Sequence, residues 1–351
     1  MPCQHLVRRL LPSRAWHGRR GHGGRGYKAA MNSSITPAEP LFSTAALAIA
    51  FPIGLTDVDA VRINTAINAA QAESTRAVYA HTWAVWERWC TTRGLCPLPG
   101  DPAALCAYLV ERAADGIAVK SLDLACTAIR HVHRSHGLDN PAEHETVRQV
   151  RLGLRRTYGT APRRLARPLS VAEIGQILSA IDRTTPIGSR DAAMILLGYA
   201  SAMRGAELVG LTLADVETKP GGLLLTVRRS KTHQDGRGEM VAVAYGRRAA
   251  TDPVAALAAW RKLRGDEAGA LFTRIWTRRV SLEPLSPNMV ARMLRARAVA
   301  AGLDGTRITA HSLRAGHATT AALAGVPLSR IAAQTRHKDL SVLVNRYIRP
   351  L

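Results

Sequence analysis

The chain has 351 residues, enough for two domains at about 100–200 residues each, and 47% of it is apolar, which is enough to build real cores. Forty-eight Lys and Arg against 26 Asp and Glu give a formal net charge of +22, which points to a polyanionic partner, nucleic acid being the commonest. Five cysteines (Cys3, Cys90, Cys96, Cys106, Cys126) form no CxxC pair and are odd in number, arguing against a disulfide framework or a thiolate zinc site, and no apolar run reaches the ~20 residues of a membrane helix.

Residues 1 to about 40 carry Arg8, Arg9, Arg14, Arg19, Arg20, Arg25 and Lys28, with no acid before Glu39, and read as a disordered cationic tail. The basic start is followed by no apolar h-region, so no secretory signal is expected, and the protein is expected to be cytoplasmic and nucleoid-associated. Met31 is an alternative beginning, which leaves open whether residues 1–30 are translated. The organisation expected is a tail over 1–56, a helical domain over 57–160, a hinge over 161–169 and a second domain over 170–351.

In the first domain, Val78, Thr82, Val85, Trp86 and Trp89 fall at 3.6-residue spacing. Asp101-Pro102 reads as a cap and first turn, Ser121 as the opening of a third helix, and Asn140-Pro141 as the start of a fourth. Lys120, Arg130, Arg134, Arg148, Arg151, Arg155 and Arg156 would suit a phosphate-facing surface, and a solvated face explains them about as well. His131, His133 and His136 resemble a metal tract, but i and i+2 positions do not share a helix face, so no metal is expected there. The basic, proline-marked stretch 160–170 reads as the hinge. Ser170 and Glu173 then form a capping box before Ile174, Ile177, Leu178 and Ile181. Gly222–Arg229 and Glu239–Ala244 alternate as strands around Asp235-Gly236. Helices are expected at 189–202, 205–215, 286–301, 311–324, 328–335 and 339–348, interrupted by that one small sheet.

Several residues of the second domain suit the breaking of a phosphodiester. Its transition state gathers negative charge on the non-bridging oxygens, which calls for planar guanidinium donors, an in-line nucleophile and an acid for the departing oxygen. Arg204 stands at a helix beginning with Glu207 three residues on. His311 and Arg314 lie one turn apart on a shared face. Lys231 sits where the first strand ends in its turn, His337 closes a short helix, and Tyr347 lies between Arg346 and Arg349, in a cationic surround that favours a phenolate.

The ordered set Arg204, Lys231, His311-x-x-Arg314, His337, Tyr347 resembles the signature of the tyrosine recombinases, the phage-integrase family, over roughly residues 60–350. The resemblance implies a mainly α fold with a small antiparallel β-sheet, in which a helical core-binding domain and an α+β catalytic domain form a C-shaped clamp. It implies site-specific strand exchange on double-stranded DNA by a homotetramer on two sites, through a 3′-phosphotyrosine and a Holliday junction. No cofactor, ATP or metal is implied. It assigns Arg204 and Arg314 to the scissile phosphate, Lys231 to the leaving 5′ oxygen, His311 to proton transfer with the phenol, His337 to a non-bridging oxygen and Tyr347 to attack. Glu207 would orient Arg204; His317 takes a second, supporting place.

Three departures accompany the match. Ala202-Met203 stands where the family often has Gly-(Leu/Met), His337 to Tyr347 spans ten residues, one more than common, and only four residues follow Tyr347, too few for a long C-terminal docking helix. A catalytically silent DNA-binding regulator and a type IB topoisomerase-like relaxing enzyme remain as alternatives. The sequence does not say which DNA site is used, in which direction, or with which accessory directionality proteins.

Overall fold

The computed structural model describes residues 56–161, 165–228 and 238–348, and the described residues fall into two compact units, 56–161 and 165–348. The tail through residue 55, Lys231 and Arg349 lie outside the described residues. The fold class is the expected one, mainly α with small antiparallel sheets.

In the first unit, α1 (Asp57–Ala69) contributes none of its described residues to the core, while α2 (Glu73–Thr92), α3 (Pro102–Ala114), α4 (Val119–Ser135) and α5 (Glu145–Tyr158) surround an aromatic one. Trp86 is fully buried, stacks on Trp89 at 5.6 Å and meets Tyr108 edge-on at 5.2 Å. Its indole N–H donates to the Pro97 carbonyl, so a large apolar area is buried without orphaning a donor. Asp101 caps α3 as expected, accepting from the Ala103 and Ala104 amides.

Three local expectations are corrected. The buried stripe of α2 is Trp83, Trp86, Trp89 and Cys90, while Val78 faces solvent, because the heavier indoles decide which face turns inward. α4 begins at Val119, before Ser121, and Asn140-Pro141 opens a 3-10 turn rather than α5, which His144 caps.

The basic surface is partly neutralised. Arg151 and Arg155 share Asp123 at 2.8 and 2.9 Å, Arg134 meets Glu143 at 2.7 Å, and Arg148 meets Glu145 at 2.6 Å. Lys120, Arg130 and Arg156 are exposed and make no ion pair among the described residues. Among the described residues no helix is long and apolar enough to cross a membrane.

The second unit opens with α6 (Val171–Ser179), started by the Ser170–Glu173 capping box. α7 (Pro186–Ser201) follows and is buried almost all round, so it serves as the central helix. After α8 (Gly205–Gly210) come strands β1 (Val216–Lys219), β2 (Gly222–Val227) and β3 (Glu239–Ala244), antiparallel in the order β1-β2-β3. Leu223, Leu225, Val227, Val241 and Val243 point from this sheet into the α7 core. α9 (Pro253–Arg264) brings in the fully buried Trp260, whose N–H donates to the Leu271 carbonyl at 2.8 Å. A hairpin of β4 (Thr273–Trp276) and β5 (Arg279–Pro284) precedes α10 (Pro287–Ala300), α11 (His311–Leu323), α12 (Leu328–Thr335) and α13 (Leu340–Arg346).

The sequence reading missed β1, the β4–β5 hairpin and α9, although Asp252-Pro253 carries the same cap signal as Asp101-Pro102. The helix expected over 205–215 stops at Gly210, and a separate 3-10 turn covers Leu213–Asp215.

Residues 167–169 run against α11, with the Arg167 and Leu169 amides donating to the Arg307 and Ser312 carbonyls. Gly316 on α11 permits this approach, because a Cβ there would lie 2.1 Å from the Leu169 carbonyl oxygen. Gly316→Ala gains about 1 kcal/mol of helix propensity but forces backbone apart at a cost of about 3 kcal/mol. A net loss of about 2 kcal/mol predicts a melting temperature lower by about 4–8 °C, read by calorimetry. An unchanged melting temperature would contradict this packing.

Candidate active site

The site is built at the ends of helices. α7 ends at Ala202, a buried residue in the left-handed region at φ +51°, which explains why glycine suits this position. The turn makes Arg204 the N-cap of α8 and sends Glu207 back toward it. The Arg204 amide donates to Glu207 Oε2 at 2.9 Å and its Nη1 donates to Oε1 at 2.6 Å. Burial by itself pushes the Glu207 carboxyl up, but Arg336 and then the Arg204 amide and guanidinium hold it below the ordinary glutamate range. Glu207 is therefore a carboxylate, and it fixes Arg204.

α11 carries Arg314, whose side chain is fully buried. Gly205 lets this helix come close, since a Cβ there would lie 2.7 Å from the Ala310 Cβ. Arg314 Nη1 donates to the Ala202 carbonyl at 2.7 Å, and Nη2 lies 3.1 Å from His337 Nε2. Burial first, and the neighbouring Arg204 charge second, bring Arg314 down to about 10, still cationic at neutral pH. Its Nε is buried without a hydrogen-bond partner among the described residues.

His337 follows α12, and its proton can be located by donor counting. The Thr335 hydroxyl gives its one hydrogen to the Ile331 carbonyl at 2.7 Å, so His337 Nδ1, 2.8 Å from that hydroxyl oxygen, must be the donor of their bond. Arg314 has only N–H groups to offer, so Nε2 accepts. The ring is neutral with its proton on Nδ1. Burial, then the charges of Arg314, Arg204 and Arg336, drop His337 to about 4, in agreement with that assignment.

Tyr347 ends α13. Its amide donates to the Leu343 carbonyl at 3.0 Å, and its own carbonyl accepts from the Thr319 hydroxyl at 2.8 Å. The ring packs on the small cluster of Ala318, Ile331, Ala332 and Leu343. It lies 4.5 Å from the His337 ring, 6.5 Å from the His311 ring and 5.2 Å from the Arg314 guanidinium carbon. A phenol, two guanidiniums and two imidazoles thus converge from α8, α11, α12 and α13.

Residues 167–351 match the family described as "Phage integrase family". Over 287 residues the chain is 33% identical to the integrase/recombinase xerD homolog of Selenomonas ruminantium, covering 80% of this chain and 83% of that protein. The chain belongs to the phage integrase family. It is also 25% identical over 300 residues to the recombinase cre of Escherichia phage P1, covering 79% of this chain and 86% of that one. In fold it resembles a lambda integrase tetramer bound to a Holliday junction, with TM-score 0.57, 20% identity, and 84% and 78% of the two chains covered. It is a tyrosine recombinase, an enzyme of site-specific DNA recombination.

The remaining predicted residues stand in different relations to this cluster. His311 is the first residue of α11 and is exposed, its amide held by the Thr309 hydroxyl at 3.2 Å. His317 is turned to Tyr199, ring to ring at 6.0 Å, and not to Tyr347. Burial is the first cause of its lowered pKa, and its ring lies between α7 and α11. Lys231 lies outside the described residues.

Sequence reasoning passed over Thr335, Arg336 and Glu239. Arg336 Nη2 donates to Glu207 Oε2, and its Nε lies 3.2 Å from Glu239 Oε2. Its only signal was its place before His337. The histidine tract of α4 goes to separate partners. His133 Nε2 accepts from the Gly100 amide at 2.8 Å, His136 Nδ1 meets the Val132 carbonyl at 2.8 Å, and the His131 ring lies 5.3 Å from Tyr79.

Proposed function

We propose that this recombinase cuts and rejoins double-stranded DNA through a 3′-phosphotyrosine at Tyr347. The observation that supports it is the convergence of the Tyr347 ring, the Arg314 guanidinium and the His337 ring within 4.5–5.2 Å, beside an Arg204 fixed by Glu207. The Tyr347 oxygen attacks phosphorus while the bond from phosphorus to the 5′ oxygen breaks. Arg204 and Arg314 neutralise the non-bridging oxygens, His311 takes the phenolic proton, and Lys231 delivers a proton to the departing oxygen. Once a phosphate oxygen claims the Arg314 guanidinium, Nε2 of His337 loses its donor, and the ring turns its Nδ1–H from Thr335 to a non-bridging oxygen. The phosphotyrosine conserves the bond energy of the phosphodiester, so religation requires no ATP. Two guanidiniums and a lysine supply the positive charge, so the chemistry requires no metal ion.

The integrase similar in fold is a tetramer on a Holliday junction. The same assembly, four protomers on two duplexes exchanging strands through a junction, is the reading for this chain.

The test uses duplexes from the DNA flanking the gene, nicked beside the cleavage point so that the short 5′ fragment diffuses away, with chelator present. A covalent protein–DNA adduct is expected, and two intact duplexes should yield a junction. No adduct on any such duplex would overturn the enzyme reading in favour of a silent binder. Relaxation of supercoils with no junction would favour a topoisomerase.

The role of Lys231 predicts its own rescue pattern. Lys231→Ala should fail on an ordinary scissile bond and recover on a substrate whose 5′ leaving atom is sulfur, since a thiolate leaves without a proton. Lack of recovery in a gel cleavage assay would move the acid elsewhere.

A further inference from the structure

Arg336 is unusual in two respects at once. Its backbone lies in the left-handed region at φ +55°, which costs a residue with a Cβ about 1–2 kcal/mol that glycine would avoid. Its side chain, 5% exposed, is held inside the protein by ion pairs to Glu207 and Glu239, close to Arg204, while its Nη1 is buried without a hydrogen-bond partner among the described residues. A strained residue held by buried ionic contacts marks a place where the side chain serves the site.

Those contacts form a chain of charges. Glu207 takes Arg204 Nη1 on Oε1, and both the Arg204 amide and Arg336 Nη2 on Oε2. Arg336 Nε faces Glu239, the first residue of β3, paired across the sheet with Val227. α12 itself is stapled at this point, because Gln334 Nε2 lies 3.1 Å from both the Ala200 and Ala242 carbonyls. Arg336 therefore connects the fixed end of α12 to the carboxylate that aims Arg204.

We infer that Arg336 is a positioning residue for Arg204: it supplies the second counter-charge of buried Glu207, and so leaves the outward N–H groups of Arg204 to the phosphate. A buried carboxylate with a single cationic partner draws that partner into a two-pronged pair to meet its own desolvation. Without Arg336, that partner is Arg204. Its side chain, now 20% exposed and bound to Glu207 through Nη1, would be pulled inward, away from the surface where phosphate arrives. The inference rests on Arg204 being a phosphate ligand, and its test separates the two claims.

The full chain is compared with Arg336→Gly, which suits the backbone, Arg336→Lys, and Arg204→Ala. Each is given a nicked duplex with either a normal scissile phosphate or one in which a methyl replaces a non-bridging oxygen and removes its charge. On the normal phosphate, Arg336→Gly should bind the duplex nearly as the parent does and cleave it about 10–100-fold more slowly, as expected for a displaced catalytic group. On the neutral phosphate, Arg204→Ala and Arg336→Gly should both recover relative to the parent, because the charge that Arg204 neutralises is gone. Arg336→Lys keeps the charge but cannot bridge both carboxylates. It should fall between, and it reads the same ratio if the glycine variant does not fold. If Arg204→Ala shows no recovery, Arg204 is not a phosphate ligand and the underlying reading fails. If Arg204→Ala recovers but the Arg336 variants do not, or if they cleave like the parent, the positioning role is overturned. A loss of folding stability with binding and cleavage falling in parallel overturns it as well.

Discussion

Tyr347→Phe is expected to fold, to bind its DNA site as the parent does, and to form no covalent adduct at all. The substitution removes one oxygen and almost no volume. The ring keeps its packing on Ala318, Ile331, Ala332 and Leu343 and its places 4.5 Å from His337 and 5.2 Å from the Arg314 guanidinium carbon. The backbone bonds that seat it, from the Thr319 hydroxyl and to the Leu343 carbonyl, are untouched. What disappears is the atom that must bond to phosphorus, and no arrangement of donors replaces a missing nucleophile. Denaturing gels of the nicked-duplex reaction check this, and peptide mapping of the parent adduct locates the link. Tyr199 is the informative competitor. Its hydroxyl is spent on the Thr320 Oγ1 at 2.8 Å, and burial raises its pKa above the ordinary phenol value, so it should never carry DNA. An adduct that survives in Tyr347→Phe, or maps to Tyr199, would falsify the central assignment.

The parts of this fold that were legible in the sequence are those set by local chemistry. Asp101-Pro102 and Ser170-x-x-Glu173 cap the helices they announced, because a side chain two or three residues away meets an amide that needs a partner. The order Arg204, His311-x-x-Arg314, His337, Tyr347 was readable only as a resemblance to the family's signature, since each of these residues taken alone has a commoner structural role. What was illegible depends on contacts distant in sequence. β1 is a short exposed strand whose place is fixed only by pairing with β2, so its own residues carry no alternation to read. The choice of Trp83 over Val78 for the buried face follows from competition among indoles within the whole unit. The role of Arg336 depends on a left-handed φ and on carboxylates 129 and 97 residues away in the chain, as the numbers of Glu207 and Glu239 show, and no local pattern encodes either.

Arg314→Lys carries the other large expected effect. Arg314 is fully buried and spans two acceptors at once, the Ala202 carbonyl at 2.7 Å and His337 Nε2 at 3.1 Å, which only a planar fork can reach together. A lysine brings one ammonium on a shorter reach, so it loses either the strained Ala202 turn or the imidazole. It also changes the charge. Burial and the Arg204 field already bring the arginine down to about 10, and the same surroundings act on an amine whose ordinary value is lower, driving it toward the neutral form. A preorganised donor of this kind is worth about 10²–10³ in rate, so single-turnover cleavage should fall at least that far while binding, carried by many phosphate contacts, changes little. The sign of the pH dependence distinguishes the two losses. If neutralisation contributes, residual cleavage by Arg314→Lys rises as pH falls and the ammonium is restored. If geometry alone is lost, the variant follows the parent profile at a constant lower level. Near-parental turnover at neutral pH would remove Arg314 from the phosphate site, because neither the fork nor the fixed charge would then be doing what its burial implies.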